Sequence, residues 1–477
     1  MGANPTPYLC AVKKRNVILE NVLVENYAAE GKSLARVEGK VIFVEQAVPG
    51  DIVDIRLGKN KKDWAEGQVI RYRAYSKDRV IPFCPHFGVC GGCQWQMLPY
   101  EKQLQYKQQQ VADNLQRIGK VALPPMLPII GAANDRYYRN KMEYTFGNKR
   151  YLLPEELKDE SISGDMNVAG FHAKGFFDKV VNIERCFLQE EPTNTLRKSI
   201  RQFALDHGYS FYDIRAHQGF MRNLQLRVCR SGEVMANVVF GYEDERKRKA
   251  LLDFILMNFP SLTTLLYTIN SKWNDSLNDL EPIVYGGKGY VIETLEDFQF
   301  KIGPKSFFQT NTQQGERLYQ VTREFAELSG RETVYDLYCG TGSIGIFCSR
   351  AAASVVGVEV IPEAIEDAQE NAVLNNIRHA KFFAGDVIDV CNDEFFALHG
   401  RPDVIITDPP RAGMHEKLVR KIVDMQAPTV VYVSCNPATQ ARDLNVLDER
   451  YAVTKIQPVD MFPHTHHIEN VVQLKLK

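Results

Sequence analysis

The period of the apolar positions changes along the chain. Between residues 16 and 75 they fall in short β-branched runs, VIL at 17–19, VLV at 22–24 and VIFV at 41–44, with clean alternation in IVDIR at 52–56. Gly31, Gly39, the Pro49 and Gly50 pair, and Gly58 punctuate these runs as turns. Short strands at this spacing predict a small β-barrel over residues 12–75. A Cys- and Gly-rich loop, CPHFGVCGGCQWQ, follows at 84–96. Leu104, Val111, Leu115 and Ile118 then recur at roughly helical spacing and predict an amphipathic helix. Residues 125–290 mix both periods without a repeat, so a central α/β domain over 76–295 is expected with its topology open. From Thr333 apolar strands alternate with helices: TVYDLYC, a helix through Phe347, SVVGVEV, a helix over 362–375, DVIITD, TVVYVSC and finally ENVVQLKLK. Alternation of this kind predicts a doubly wound, parallel, Rossmann-like domain over 296–477.

Composition adds limits. A length of 477 residues, 44% hydrophobic and 25% charged, suits a multi-domain soluble protein. No apolar run approaches the roughly 18 residues of a membrane span. The start, MGANPTPYLCAVKKRN, lacks a signal-peptide pattern. Thr6 fits an acylation motif, but no polybasic or second-lipid signal follows it. A cytoplasmic monomer is expected. The formal net charge of -1 does not announce a nucleic-acid partner, so any such contact must come from local patches. One candidate is 59–79, with Lys61, Lys62, Arg71, Arg73, Lys77 and Arg79, although an ordinary solvated face reads the same way. A second is RYYRNKMEYTF, where Arg136, Arg139 and Lys141 alternate with Tyr137, Tyr138 and Tyr144, a mixture suited to stacking flipped-out bases.

The candidate chemistry lies in the last domain. VYDLYCGTGSIGIF at 334–347 reads as strand, Gly-rich turn and helix, and Gly340, Gly342 and Gly345 fit G-x-G-x-x-G. Glu359 ends the next strand, where a carboxylate accepts the ribose hydroxyls of NAD or S-adenosylmethionine alike. Three features favour the latter. Asp336 precedes the first glycine, where an anion holds an ammonium group. Asp386 follows the third strand, where an adenine-contacting residue sits. DPPR at 408–411 follows the fourth, where it presents acceptors to a target base. Cys435 ends the fifth strand, the edge at which open α/β sheets bind ligands. Glu469, in HTHHIENVVQL, is a carboxylate beside an apolar strand, where burial raises a pKa toward that of a proton acceptor. His464, His466 and His467 can shape that site or meet a phosphate.

YDLYCGTG, DPPRAG, SCNPAT and DMFPHTHHIENVVQL, with SFFQTNTQQ at 306–314, together resemble the RNA 5-methyluridine methyltransferases over most of the chain. VIFVEQAVPGDIVDIRL at 41–57 resembles the TRAM domain, an RNA-binding module, which implies that the barrel is OB-like. The resemblance implies methylation of uridine carbon 5 in RNA from S-adenosylmethionine. Uracil C5 is a poor nucleophile until a thiolate adds at C6 and makes the ring an enolate. Cys435 is then the nucleophile and Glu469 the base that removes the C5 proton. The resemblance assigns Gln309, Tyr338, Gly340, Ser343, Glu359, Asp386 and Asp408 to the cofactor. It assigns Phe307 to the substrate, with Arg139 from the basic aromatic segment. Ser343 and Asp386 stand where asparagines are more usual in the family.

Among ten cysteines, Cys84, Cys90 and Cys93 are close-set and Cys186 stands downstream in VVNIERCFLQ. Four thiolates hold a 4Fe–4S cluster or a zinc ion, and spacing alone does not choose. The resemblance favours the 4Fe–4S cluster, in a structural or RNA-positioning role. The cluster and TRAM-like barrel together point to the 23S ribosomal RNA branch, with tRNA the alternative.

Overall fold

The β-branched runs fold as strands β1 (Ile18–Leu23), β2 (Asn26–Tyr27), β3 (Ser33–Val37), β4 (Lys40–Glu45), β5 (Ile52–Asn60) and β6 (Trp64–Ala74). They form one sheet ordered β1-β5-β6-β4-β3-β2. The computed structural model describes residues 17–153, 155–158 and 165–477. The segment read for targeting and acylation, Thr6 included, lies outside them, as do residues 12–16 of the expected barrel. By internal contacts the chain divides into two units, one ending at Ile81 and including Met97–Pro99, the other Pro82–Gln96 with Tyr100–Lys477.

In the first unit β6 pairs antiparallel with β5 through three register shifts and parallel with β4. Such bulges bend and twist a strand, which lets a small sheet wrap a core, here Val22, Ala35, Ile42, Val44, Val53 and Ile55. Gly58 lies inside β5 rather than in a turn. Arg73 and Arg79 form ion pairs with Asp54 and Asp51, each at 2.7 Å. Two cations of the 59–79 stretch are thus neutralised internally, while Lys61, Lys62, Arg71 and Lys77 stay exposed.

The second unit opens with α1 (Tyr100–Asn114). Its central sheet joins β7 (Lys141–Gly147), β8 (Val168–His172), β9 (Val180–Asn182), β10 (Met221–Val228), β11 (Val234–Phe240), β12 (Thr264–Ile269) and β13 (Ile283–Gly287). Their order is β13-β12-β11-β10-β7-β8-β9. Helices α2 (Thr193–Asp206) and α3 (Glu245–Asn258) bury Leu196, Ile200, Leu251 and Ile255 against it. A hairpin of β14 (Val291–Leu295) and β15 (Phe298–Ile302) leads to α4 (Thr312–Ala326).

The last sheet contains β16 (Thr333–Leu337), β17 (Ser354–Glu359), β18 (Ala380–Ala384), β19 (Val404–Thr407), β20 (Thr429–Ser434), β21 (Tyr451–Val459) and β22 (Glu469–Leu476). Their order is β18-β17-β16-β19-β20-β22-β21. Successive residues point to opposite faces of a strand, and Val334, Ile406, Val431 and Val471 enter one apolar cluster while Tyr335, Ile405, Val430 and Val472 enter the other. Both faces are therefore covered, by α5 (Ser343–Cys348), α6 (Pro362–Leu374), α7 (Val387–Val390), α8 (Asp393–His399), α9 (Glu416–Met425) and α10 (Pro437–Leu447). The sheet departs from the expected parallel arrangement in one respect: β22 runs antiparallel to both β20 and β21. Among the described residues no helix is long and apolar enough to cross a membrane.

Candidate active site

That reversal brings the candidate nucleophile and base together. β20 and β22 pair with Ser434 opposite Asn470, and the next step along each strand is Cys435 and Glu469. Gln440 of α10 fastens the pair from below. Its Nε2 donates to the carbonyls of Tyr432 and Asn470 at 2.9 and 3.2 Å, and Asn470 Nδ2 donates back to its Oε1 at 2.7 Å. Asn436 caps α10 by accepting the Ala438 N–H, and its Nδ2 donates to the Arg411 carbonyl at 3.0 Å. The SCNP turn is thus bonded to the DPPR turn.

Asp408 and Arg411 of the DPPR turn lie within electrostatic reach of Cys435 and Glu469. Burial, and then the Asp408 charge, holds the Glu469 carboxyl well above the usual carboxylate range. Burial raises Asp408 to about 7. Burial, then Glu469 and Asp408, pushes the Cys435 thiol up to about 12 against the opposing pull of Arg411. The bare site therefore favours a thiol and protonated acids. A cation arriving beside them shifts all three toward the ionised forms.

The second group of predicted residues surrounds the β16–α5 turn. Tyr338 has a φ of 62°, a left-handed conformation uncommon outside glycine, and Gly340 and Gly342 follow at 50° and 74°. A Cβ at Gly342 would lie 2.9–3.0 Å from Phe382 and Ala368, whereas at Gly340 it would face open space. The Gly340 N–H donates to Glu359 at 3.3 Å, and the Ile361 N–H to the other oxygen of that carboxylate at 3.1 Å. Asp336 accepts the Gly345 N–H at 2.8 Å through Oδ2, while its buried Oδ1 has no partner. Burial raises Asp336 to about 7. Ser343 Oγ meets the Tyr319 hydroxyl at 2.8 Å. Asp386 is exposed and caps α7 through the Ile388 N–H. A free buried acceptor, an open approach at Gly340 and the Glu359 carboxylate suit a ligand carrying an ammonium group and a ribose, as S-adenosylmethionine does.

The remaining positions sort by exposure. Phe307 is 72% exposed, whereas its neighbour Phe308 is 2% exposed and in the core. Gln309 is 7% exposed, with its backbone carbonyl held by Asn140 Nδ2 at 2.9 Å. Arg139 is partly exposed, its guanidinium 5.8 Å from the Phe462 ring. The expectation of a stacking surface in RYYRNKMEYTF does not hold for two of its tyrosines. Tyr144 is fully buried against Phe171, and the Tyr138 hydroxyl is spent on the Pro463 carbonyl.

A set of residues that the pattern of the sequence did not announce holds the loop leading into Glu469. Lys107 Nζ donates to Asp460 Oδ1 at 2.6 Å and to the Phe462 carbonyl at 3.0 Å, with both charged side chains fully buried. The Tyr100 hydroxyl donates to Asp460 Oδ2 at 2.8 Å. Gln103 accepts the His464 N–H at 2.8 Å, and the His464 carbonyl accepts the N–H groups of Gln94 and Trp95. His464 therefore serves as a brace between this loop and the cysteine loop.

Cys84, Cys90, Cys93 and Cys186 line one cavity of about 440 Å³. Burial pushes the Cys90 and Cys93 thiols up to about 11 and 12, with smaller contributions from the neighbouring thiols. Among the described residues no group of three or more His, Cys, Asp or Glu is gathered so as to hold a single metal ion.

A tRNA (Uracil-5-)-methyltransferase family model matches residues 286–477, and a TRAM domain model matches 19–70. The chain is 52% identical over 453 residues to an uncharacterized RNA methyltransferase of Bacteroides thetaiotaomicron, covering 94% of this chain and 100% of that protein. It is 48% identical over 460 residues to one from Porphyromonas gingivalis, covering 94% and 98% respectively. Among solved structures, the Pyrococcus abyssi tRNA (uracil-54, C5)-methyltransferase in complex with S-adenosyl-L-homocysteine matches with a TM-score of 0.73 and 28% identity. That match covers 95% of this chain and 99% of the other. Motifs, fold and relatives agree: the chain belongs to the S-adenosylmethionine-dependent RNA uracil-5 methyltransferases and carries an N-terminal TRAM domain.

Proposed function

We propose that the protein methylates carbon 5 of a uridine in 23S ribosomal RNA, with Cys435 as nucleophile and Glu469 as base. The observation that carries the mechanism is the strand register that sets these two residues side by side, with Asp408 and Arg411 in reach. Cys435 Sγ bonds to C6, and the C5=C6 electrons move onto O4 as an enolate. Bound S-adenosylmethionine supplies an electrophilic methyl group on a cationic sulfur, whose charge in this acidic pocket also favours the Cys435 thiolate. Once C5 carries the methyl group, Glu469 accepts the C5 proton. The electron pair re-forms C5=C6 and expels the thiolate. Asp336 holds the cofactor's ammonium group and Glu359 its ribose. Tyr338, Gly340, Ser343 and Asp386 border the rest of the cofactor. Gln309 and Asp408 orient base and methyl donor, Phe307 stacks on the extruded uracil, and Arg139 contacts the RNA.

We assign Cys84, Cys90, Cys93 and Cys186 to a 4Fe–4S cluster with a structural role. The four thiols line a shared cavity and would supply the four thiolates such a cluster takes. We retain a three-part layout, with a barrel that ends at residue 75, the cluster domain over 76–295 and the catalytic domain over 296–477, acting as a cytoplasmic monomer.

A TRAM domain combined with the cysteine set supports the ribosomal substrate. A second reading, a tRNA uridine, is favoured by the Pyrococcus abyssi protein, whose name specifies tRNA uracil-54. Tritium release from uridine-C5-labelled RNA separates the two. Release from unmodified large-subunit RNA alone supports the first, and release from tRNA alone replaces it with the second.

A further inference from the structure

Two neighbouring strands of the central sheet carry like charges face to face. β7 and β10 pair with Lys141 directly opposite Arg227, and Arg139 stands two residues before Lys141. Like charges at such a pair destabilise a sheet unless an anion offsets them. Among the described residues, none of the three forms an ion pair with a carboxylate. Glu143 and Glu293 are the acids in reach and ease the two charges from a distance, but their hydrogen bonds go to other groups: Gln225 Nε2 bonds Glu143 at 3.2 Å, and Glu293 takes Thr312 Oγ1 at 2.6 Å with the N–H groups of Arg230 and Thr294. Arg227 is 2% exposed and donates from Nη2 to the Ser306 carbonyl at 3.2 Å, while its Nε and Nη1 have no partner. A buried guanidinium with two idle donors is costly to maintain. Arg139, Lys141 and Arg227 all line the 440 Å³ cavity, whose wall continues through Ser306 and Phe307. Arg139 is close enough to influence Cys186, whereas the thiol that Arg227 feels most is Cys229, outside the four-cysteine set.

We propose that Arg227 and Lys141, flanked by Arg139, form a subsite for one phosphodiester of the RNA backbone next to the nucleotide that meets Phe307. The inference rests on the uridine-methylation reading and adds to it a specific contact. Two unesterified phosphate oxygens match an idle guanidinium donor of Arg227 and the Lys141 ammonium beside it, and a single negative charge relieves the Lys141 and Arg227 repulsion. Such a contact positions the strand without reading its sequence.

The test is the salt dependence of RNA affinity for the full-length protein, wild type against Arg227→Gln, Arg227→Lys and Lys141→Gln. The probe is unmodified large-subunit ribosomal RNA, titrated across about 0.05–0.4 M KCl. Loss of one phosphate contact lowers the slope of log K against log salt by about 0.7, or roughly fivefold in affinity at 0.1 M salt. Arg227→Gln and Lys141→Gln are expected to show that drop, with KM for RNA raised, kcat little changed and cofactor affinity unaltered. Arg227→Lys keeps the wild-type slope. Should Arg227→Gln fail to fold, the partly exposed Lys141→Gln decides by the same reading. A wild-type slope in Lys141→Gln and in folded Arg227→Gln overturns the proposal. A slope unchanged while iron is lost overturns it too, by assigning the cations to the cluster instead. Reduced slopes in a protein that releases no tritium from any RNA support the phosphate site and strike the uridine reading alone.

Discussion

Replacing Lys107 by methionine removes one half of a fully buried ion pair whose other half, Asp460, begins the loop into Glu469. Breaking such a pair from one side costs about 3–5 kcal/mol, because the surviving charge stays buried. Asp460 keeps the Tyr100 hydroxyl and the Phe462 N–H, so the cost belongs at the lower end, about 3 kcal/mol. In Asp460→Asn the ammonium keeps the Phe462 carbonyl, and burial already lowers the Lys107 pKa. Neutralising an ordinary lysine at pH 7 costs about 5 kcal/mol, which caps the loss in that variant. Amide hydrogen exchange over 460–467, followed by mass spectrometry, reads the local opening. At about 1.4 kcal/mol per factor of ten, Lys107→Met exchanges roughly 100-fold faster or more. The apolar double variant Lys107→Met with Asp460→Leu recovers most of the protection, since no charge is left stranded. Turnover falls with little change in cofactor affinity. Less than tenfold acceleration in the single variants, or a double variant as loose as either, refutes the reasoning.

Asp408→Asn removes the like charge facing Glu469, so the Glu469 pKa falls and the rising limb of single-turnover rate against pH moves to lower pH. The wild-type limb is expected well above the usual carboxylate range, where the raised Glu469 carboxyl ionises, and an unshifted limb in the variant counts against the carboxyl pair. Gly342→Ala forces a methyl group to 2.9–3.0 Å from Phe382 and Ala368 at a φ of 74°. Left-handed strain of about 1–2 kcal/mol should weaken S-adenosylmethionine binding roughly tenfold by calorimetry, and unaltered affinity would dissociate this turn from the cofactor. Phe307→Ala changes an exposed ring, so unfolding is expected to shift by less than about 0.5 kcal/mol. Activity on RNA nevertheless falls about tenfold or more if the ring stacks on a base, and equal activity removes it from the site.

The catalytic domain was legible because parallel buried strands are near-continuous apolar runs ended by functional residues, and TVVYVSC and ENVVQLKLK carry both signals. The reversal of β22 was not legible, because an apolar run reads the same in either direction. Polar burial was hidden too. The inner face of α1 is Gln103, Lys107 and Val111, a stripe at helical spacing that looks solvent-facing until Asp460, 353 residues away, is placed against it. Ile118, expected on the apolar face, is 41% exposed. RYYRNKMEYTF misled for the converse reason: strand alternation sends Tyr144 into the core while Lys141 reaches the cavity. The opposition of Lys141 and Arg227 depends on strand pairing that local sequence does not encode.

The central claim is that Cys435 bonds to uracil and that Glu469 is needed to release it. It is tested most directly by incubating Glu469→Gln, and the double variant Cys435→Ala with Glu469→Gln, with substrate RNA and S-adenosylmethionine on a denaturing gel. The account predicts a protein–RNA adduct that survives denaturation in the first and is absent in the second, with no turnover in Cys435→Ala alone. No adduct in Glu469→Gln together with an active Cys435→Ala would contradict it.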